Sequence, residues 1–162
     1  MSNYTGIEAV YRQYADALYR IALSHLQNPD DAQDALQDVF EKYITLPVKP
    51  LSENHTKAWL IRATINCCHD KHRRDKYRRS EDFEKALLVA DLSADSEGLV
   101  SLMQKLDTLQ SKLLDVVILH CLEGFTLEET AKLLRISLSA AKMRLQRARE
   151  QLRALNKEED HV

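Results

Sequence analysis

Residues 125–152 read FTLEETAKLLRISLSAAKMRLQRAREQL, and the fold is decided there. Thr126 followed three residues later by Glu129 is a capping-box signature for a helix start. Leu127, Ala131 and Leu134 recur at helical spacing and can share one buried face. Arg135-Ile136-Ser137 breaks that pattern, and Ser137 suits the N-cap of a second helix. The second helix carries Ala141, Leu145, Ala148 and Leu152 on one stripe, with Lys142, Met143, Arg144, Gln146, Arg147 and Arg149 on its other faces. A short helix, a tight turn and a basic helix make a helix-turn-helix, whose second helix enters the DNA major groove. A charged helix alone would be a solvated surface. The small Ala131, the turn and the one-sided positive charge together point to DNA.

Outward from this stretch, charge is the next signal. The chain has 162 residues, with 23 Lys+Arg against 25 Asp+Glu and a formal net charge of −2, so it is no indiscriminate polyanion binder. The distribution is uneven. Lys57 to Arg79 holds eight Lys/Arg against two Asp, and Lys132 to Arg153 holds seven against Glu150 alone, so each block carries +6. Between them, Glu81 to Glu97 has six acids against Lys85. Two basic blocks with an acidic spacer read as two nucleic-acid contacts joined by a tether.

Only three glycines and three prolines occur, which favours an all-helical protein. Ile7, Val10, Tyr11, Tyr14, Leu18 and Ile21 predict a first amphipathic helix over residues 5 to 26. Asn28-Pro29-Asp30-Asp31 starts a second, running to about Leu46: Asn caps, Pro suits the first helical position, and acids favour the positive dipole end. It buries Ala32, Ala35, Leu36, Val39 and Phe40 and exposes Asp31, Asp34, Gln37, Asp38 and Glu41. Asp38 and Glu41 lie beyond the first turn, so the dipole does not account for them. They are either solvated or an acidic docking surface for a basic protein.

Pro47 to Asn54 reads as a stiff loop. A third helix follows from about Thr56 to about Arg79, with Trp59, Ala63 and Asn66 on one side and Leu60, Thr64 and Cys67 on the next. Its later half, CCHDKHRRDKYRR, is basic all around and needs phosphate or solvent about its charges. Tyr77 can stack on a base. Ser80 to Asp95 reads as a linker, with one helical turn over Phe83 to Val89. Leu99, Leu102, Met103 and Leu106 open a second cluster. Asp107 or Thr108 then caps a helix burying Leu113, Val116, Val117 and Cys121, and Gly124 stops it. Asn156 to Val162 should fray. The expected fold is therefore all-α: two small helical domains joined by a linker, the second holding the helix-turn-helix.

Several chemistries are excluded. There is no Gly-rich phosphate loop, zinc-protease histidine pair or strained serine turn, so no catalytic residue and no cofactor is expected. Cys67, Cys68, His69 and His72 crowd one helix, but adjacent cysteines cannot converge on one metal, so no metal site is expected. Three cysteines without paired spacing suit a reducing compartment. No apolar run approaches the ~20 residues of a membrane span, and no signal-peptide pattern begins the chain. A cytoplasmic protein without membrane insertion is the expectation.

The run EGFTLEETAKLLRISLSAAKMRLQRAREQLRAL resembles the carboxyl-terminal promoter-binding domain of bacterial extracytoplasmic-function sigma factors. DAQDALQDVFEKY is similar to that family's polymerase-docking helix, and AWLIRATINCCHDKHRR to its DNA-melting, minus-ten helix. The three motifs stand in the family's order. The resemblance implies residues 1–79 as a region 2-like domain for polymerase docking and minus-ten binding. Residues 80–95 become the acidic linker, and 96–162 a region 4-like domain for minus-35 binding. By position it assigns Asp34, Gln37, Asp38 and Phe40 to docking on core RNA polymerase. Arg62 and Asn66 fall near a flipped minus-ten base, and Lys71, Arg73 and Arg74 on strand phosphates. Lys142, Met143, Gln146 and Arg147, with Arg144 and Arg149, fall to the minus-35 element, where Arg to guanine and Gln to adenine are natural pairings. Promoter DNA and an anti-sigma factor are the other implied partners.

This sequence departs from the family pattern in three places. The turn of the helix-turn-helix usually has Gly and here has Arg135. The loop before the minus-ten helix often carries an aromatic residue, and Pro47 to His55 has none. Ala140-Ala141 stands where Thr-Val is common. Two other readings compete: a stand-alone helix-turn-helix regulator that never docks on polymerase, and a decoy that binds an anti-sigma protein without reading DNA. The first needs no exposed Gln37 and Asp38, and the second needs no basic blocks.

Overall fold

A computed structural model of the chain describes residues 4–74, 101–102 and 104–160, with helix, turn and loop and no strand among the described residues. The chain divides into two compact units, Met1–Ala90 and Asp91–Val162.

In the first unit, α1 (Tyr4–Leu26), α2 (Pro29–Thr45) and α3 (Glu53–Arg74) pack against one another. Its core is built from Leu18, Ile21, Ala22 and Leu23 of α1, Ala32, Ala35 and Val39 of α2, and Leu60, Ile61, Ile65 and Cys68 of α3. Each fully buried Leu or Ile contributes about 1.5–3 kcal/mol relative to exposure. Thr64 is also buried, and its hydroxyl donates to the Leu60 carbonyl at 2.8 Å, so that hydroxyl is satisfied inside.

The boundaries follow from local chemistry. Gln27 ends α1 in a left-handed conformation, φ 51°, its N–H donating to the Leu23 carbonyl at 2.7 Å. Asn28 caps α2 as expected, its side-chain oxygen accepting from Asp30 N–H at 2.9 Å and Asp31 N–H at 3.1 Å. At the far end of α2, Lys49 Nζ donates to the Ile44 and Leu46 carbonyls at 2.8 and 3.0 Å, and sits 5.2 Å from the centre of the Tyr43 ring. A cation on the last carbonyls complements the negative end of the helix dipole. The next helix, α3, starts at Glu53, earlier than Thr56, because Ser52 serves as its cap: its hydroxyl accepts from His55 N–H at 3.1 Å. The continuation of α3 to Arg79, Tyr77, the linker 80–95, the turn at Phe83 to Val89, and Leu99 and Met103 lie outside the described residues.

In the second unit, α4 (Ser111–Val116) runs directly into a π-helical segment (Val117–Leu122). The helix-turn-helix follows as α5 (Leu127–Leu134) and α6 (Leu138–Asp160), and both α4 and α5 pack on α6. Three expectations are corrected here. Neither Asp107 nor Thr108 caps α4: Thr108 Oγ1 bonds the Lys105 carbonyl at 2.7 Å, and Gln110 precedes the helix without a side-chain cap. Cys121 is exposed, not buried. The wider π turn, seen in the Glu123 N–H to Ile118 carbonyl bond at 2.9 Å, advances each residue by a smaller angle, so register extrapolated at 3.6 residues per turn fails past Val117. Finally, α6 continues to Asp160, four residues past the expected fraying point at Asn156.

Gly124 takes φ 81°, the left-handed stop read from the sequence. His120 Nδ1 donates to the Phe125 carbonyl at 2.7 Å and ties the π segment to the approach to α5. Thr126 caps α5 by accepting from Glu129 N–H at 3.1 Å, and Ser137 caps α6 by accepting from Ala140 N–H at 3.0 Å. Between them Arg135 is left-handed, φ 56° and ψ 44°. For a residue with a Cβ that costs about 1–2 kcal/mol. Bonds from Arg135 N–H to Lys132 O at 3.2 Å and from Ile136 N–H to Ala131 O at 3.0 Å hold it there.

Candidate nucleic-acid interface

The inward stripe of α6 is Ala141 and Ala148, both fully buried, with Leu145 at 4%. Small alanines let α6 lie close to the helices behind it, and Thr130, Ala131 and Leu133 fill the facing side of α5. What remains outward is Lys142, Met143, Gln146, Arg147 and Arg149, all exposed, with Arg144 half-buried at the edge. Met143 is 53% exposed, which a core methionine would not be. Among the described residues Lys142, Arg144, Arg147 and Arg149 form no ion pair. The one acid on this stretch, Glu150, accepts from Gln146 Nε2 at 3.3 Å. The face is thus a set of unneutralised cations around a methionine and an amide, held on a rigid helix. That is the chemistry of groove and phosphate contact.

On α3, Arg62, Asn66 and Arg73 fall at i, i+4 and i+11 and so line one stripe. Asn66 and Arg73 are exposed, and Arg62 and Lys71 half-buried. Arg73 pairs with Asp70 on the same helix, whereas Lys71 and Arg74 form no ion pair among the described residues. His72 Nε2 lies 2.9 Å from the His25 carbonyl, which can only accept, so the proton sits on Nε2. This bond fastens the basic end of α3 to the end of α1.

On α2, Asp34, Gln37 and Asp38 are exposed on one side. Gln37 Nε2 donates to Glu41 Oε1 at 3.3 Å. Asp38 Oδ2 lies 3.9 Å from Cys67 Sγ, a weak thiol contact from α3. Burial first, and Asp38 second, push the Cys67 thiol up, so it stays protonated and able to donate at neutral pH. Phe40 is corrected as a docking contact: it is 5% exposed, its ring 4.9 Å from Tyr11, and it supports α2 from beneath.

The sequence reading passed over two further features. Val48 and Leu51, in the loop between α2 and α3, are 76% and 99% exposed. Two apolar residues among prolines give no periodic signal, so their exposure has no signature in the sequence. Lys49 lies within the stretch read only as a stiff loop, and its grip on two carbonyls has no pattern in the chain.

An acid-faced helix beside a basic one in the first unit, and a basic helix-turn-helix in the second, define a DNA-binding transcription protein. Residues 10–79 match the family model for Sigma-70 region 2, and residues 99–152 that for Sigma-70, region 4. The chain is 27% identical over 150 residues to the ECF RNA polymerase sigma factor SigM of Mycobacterium tuberculosis, covering 93% of this chain and 76% of that protein. It is 28% identical over 142 residues to the RNA polymerase sigma factor SigV of Bacillus subtilis, covering 88% and 86%. Among solved structures, CnrH in complex with the cytosolic domain of CnrY aligns with TM-score 0.68 at 24% identity, over 96% of this chain and 90% of that one. The sigma factor RpoE in complex with the anti-sigma factor NepR from Bartonella quintana aligns with TM-score 0.65 at 22% identity, over 93% and 96%. The protein belongs to the extracytoplasmic-function sigma factors of bacterial RNA polymerase. It directs core polymerase to promoters, and the stand-alone regulator reading is set aside.

Proposed function

We propose that this sigma factor divides its work among three helices. The exposed side of α2, with Asp34, Gln37 and Asp38, docks on a basic surface of core RNA polymerase. The stripe of α3 takes the minus-ten element: Arg62 and Asn66 meet a base, and Lys71, Arg73 and Arg74 meet strand phosphates. Through Lys142, Met143, Arg144, Gln146, Arg147 and Arg149, α6 reads the minus-35 duplex. The carrying observation is the unpaired cationic face of α6 on a buried alanine stripe.

In this reading residues 1–79 and 96–162 are the working domains and 80–95 the tether. The two compact units and the two family matches support that division. The protein acts by binding and carries out no bond chemistry of its own. Its place of work is the cytoplasm, with the polymerase. An anti-sigma factor is a further partner, supported by the structural neighbour solved with one. No helix among the described residues is long and apolar enough to cross a membrane.

The test is reconstitution with core polymerase on a genomic library, with mapped transcript starts. Transcripts are expected from discrete promoters only when the protein is added. Asp38→Lys is expected to abolish co-elution with core while circular dichroism stays unchanged. Transcription that proceeds equally well without the protein would overturn the role, and unchanged co-elution of the variant would remove the docking assignment.

A further inference from the structure

We propose that Arg135, at the turn of the helix-turn-helix, grips a DNA phosphate at the rim of the minus-35 site. The inference rests on the minus-35 reading of α6 and adds a contact to it. Arg135 occupies a left-handed backbone position that glycine takes freely and that arginine takes only against steric resistance. The backbone there is fully fixed, since its own N–H and that of Ile136 close the end of α5. The side chain returns nothing to the fold. It is exposed, and its guanidinium makes no hydrogen bond or ion pair among the described residues.

Its surroundings favour an anion. No acid occurs between Glu129 and Glu150 in the sequence, and Lys132 and Lys142 flank the turn, both exposed. Arg135 stands two residues before the cap of α6, at the positive end of a 23-residue helix dipole. In a helix-turn-helix the first residues of the second helix meet base edges. A long cation immediately before them is therefore beside the groove wall, where the phosphates run. Arginine matches a phosphate with two parallel N–H donors. An acidic protein segment is the competing occupant. The closeness of the groove-entering end of α6 favours DNA.

The experiment uses holoenzyme rebuilt from core polymerase and the full chain, binding a promoter fragment over a salt series. Arg135→Gly and Arg135→Gln are compared with Arg135→Lys. Glycine relieves the backbone and removes the charge, whereas glutamine keeps the backbone as it is and removes only the charge. Both are expected to lower the slope of log affinity against log salt by about 0.9, which is about 3.5-fold less change between roughly 50 and 200 mM salt. Their loss is expected to be equal on promoters differing in minus-35 sequence, because a phosphate carries no base identity. Arg135→Lys should retain the slope, and the thermal midpoint of Arg135→Gly should not fall. An unchanged affinity and slope for both neutral variants would overturn the proposal. So would a loss confined to binding of a protein partner. Arg147→Ala run in parallel separates the two readings: if the neutral Arg135 variants are silent while Arg147→Ala changes base preference, only Arg135 is misassigned. If it too is silent, the minus-35 reading of α6 fails with it.

Discussion

Cys67 and Cys121 show how far a residue's setting decides its chemistry. Both thiols are pushed up by burial of the sulfur; at Cys67, Asp38 adds to that rise against the opposing pull of Lys71 and Lys42, while at Cys121 Arg149 opposes it and the residue is exposed. The thiolate is the reactive form, so access and the lack of a facing carboxylate favour Cys121. Iodoacetamide at neutral pH followed by peptide mapping is expected to label Cys121 first, with Cys67 and Cys68 modified only in denaturant. Equal labelling of Cys67 in the native protein would contradict its burial. Single residues were unevenly legible in the sequence. Asn28, Thr126 and Ser137 announce their roles because a cap is a local bond between near neighbours. Cys121 did not, because whether a helical residue faces core or solvent depends on what packs above it, whereas Phe40 was read as buried and is.

Helix boundaries were read best where polar side chains close them. Where the backbone leaves the α pattern without a polar signature, as at Val117–Leu122 or Gln27, nothing in residue type announced it. The competing term is tertiary packing, which can select a wider turn at a cost that no propensity scale carries. The Asn28 cap gives a measurable case. Asn28→Ala removes the acceptor for two helix-start N–H groups and is expected to destabilise the first unit by about 1 kcal/mol. Trp59 is the only tryptophan and lies on α3, so its fluorescence reports urea unfolding of that unit. A midpoint equal to wild type would mean that water replaces the cap without loss.

For the whole molecule, charge layout matters more than total. A chain of net charge −2 binds a polyanion only by segregating its cations. That segregation was plain in the sequence, and so was the order of the three motifs. What the sequence left open is which cations are already neutralised. Arg73 is paired with Asp70, whereas Arg74 forms no ion pair among the described residues. In holoenzyme–promoter binding, Arg74→Ala should reduce the salt slope by about 0.7, the value for one lost phosphate contact on a single strand. Arg73→Ala should reduce it by less, since its charge is shared with Asp70. Equal reductions would mean that DNA strips Arg73 from its partner.

Lys49 closes the connection between α2 and α3 by holding two carbonyls beneath the Tyr43 ring, with Pro47 and Pro50 on either side. Ordering that connection is therefore a cost met once, during folding. When the protein meets its target, the helices on either side arrive already aimed, and encounter need not wait for a strap of backbone to find its shape.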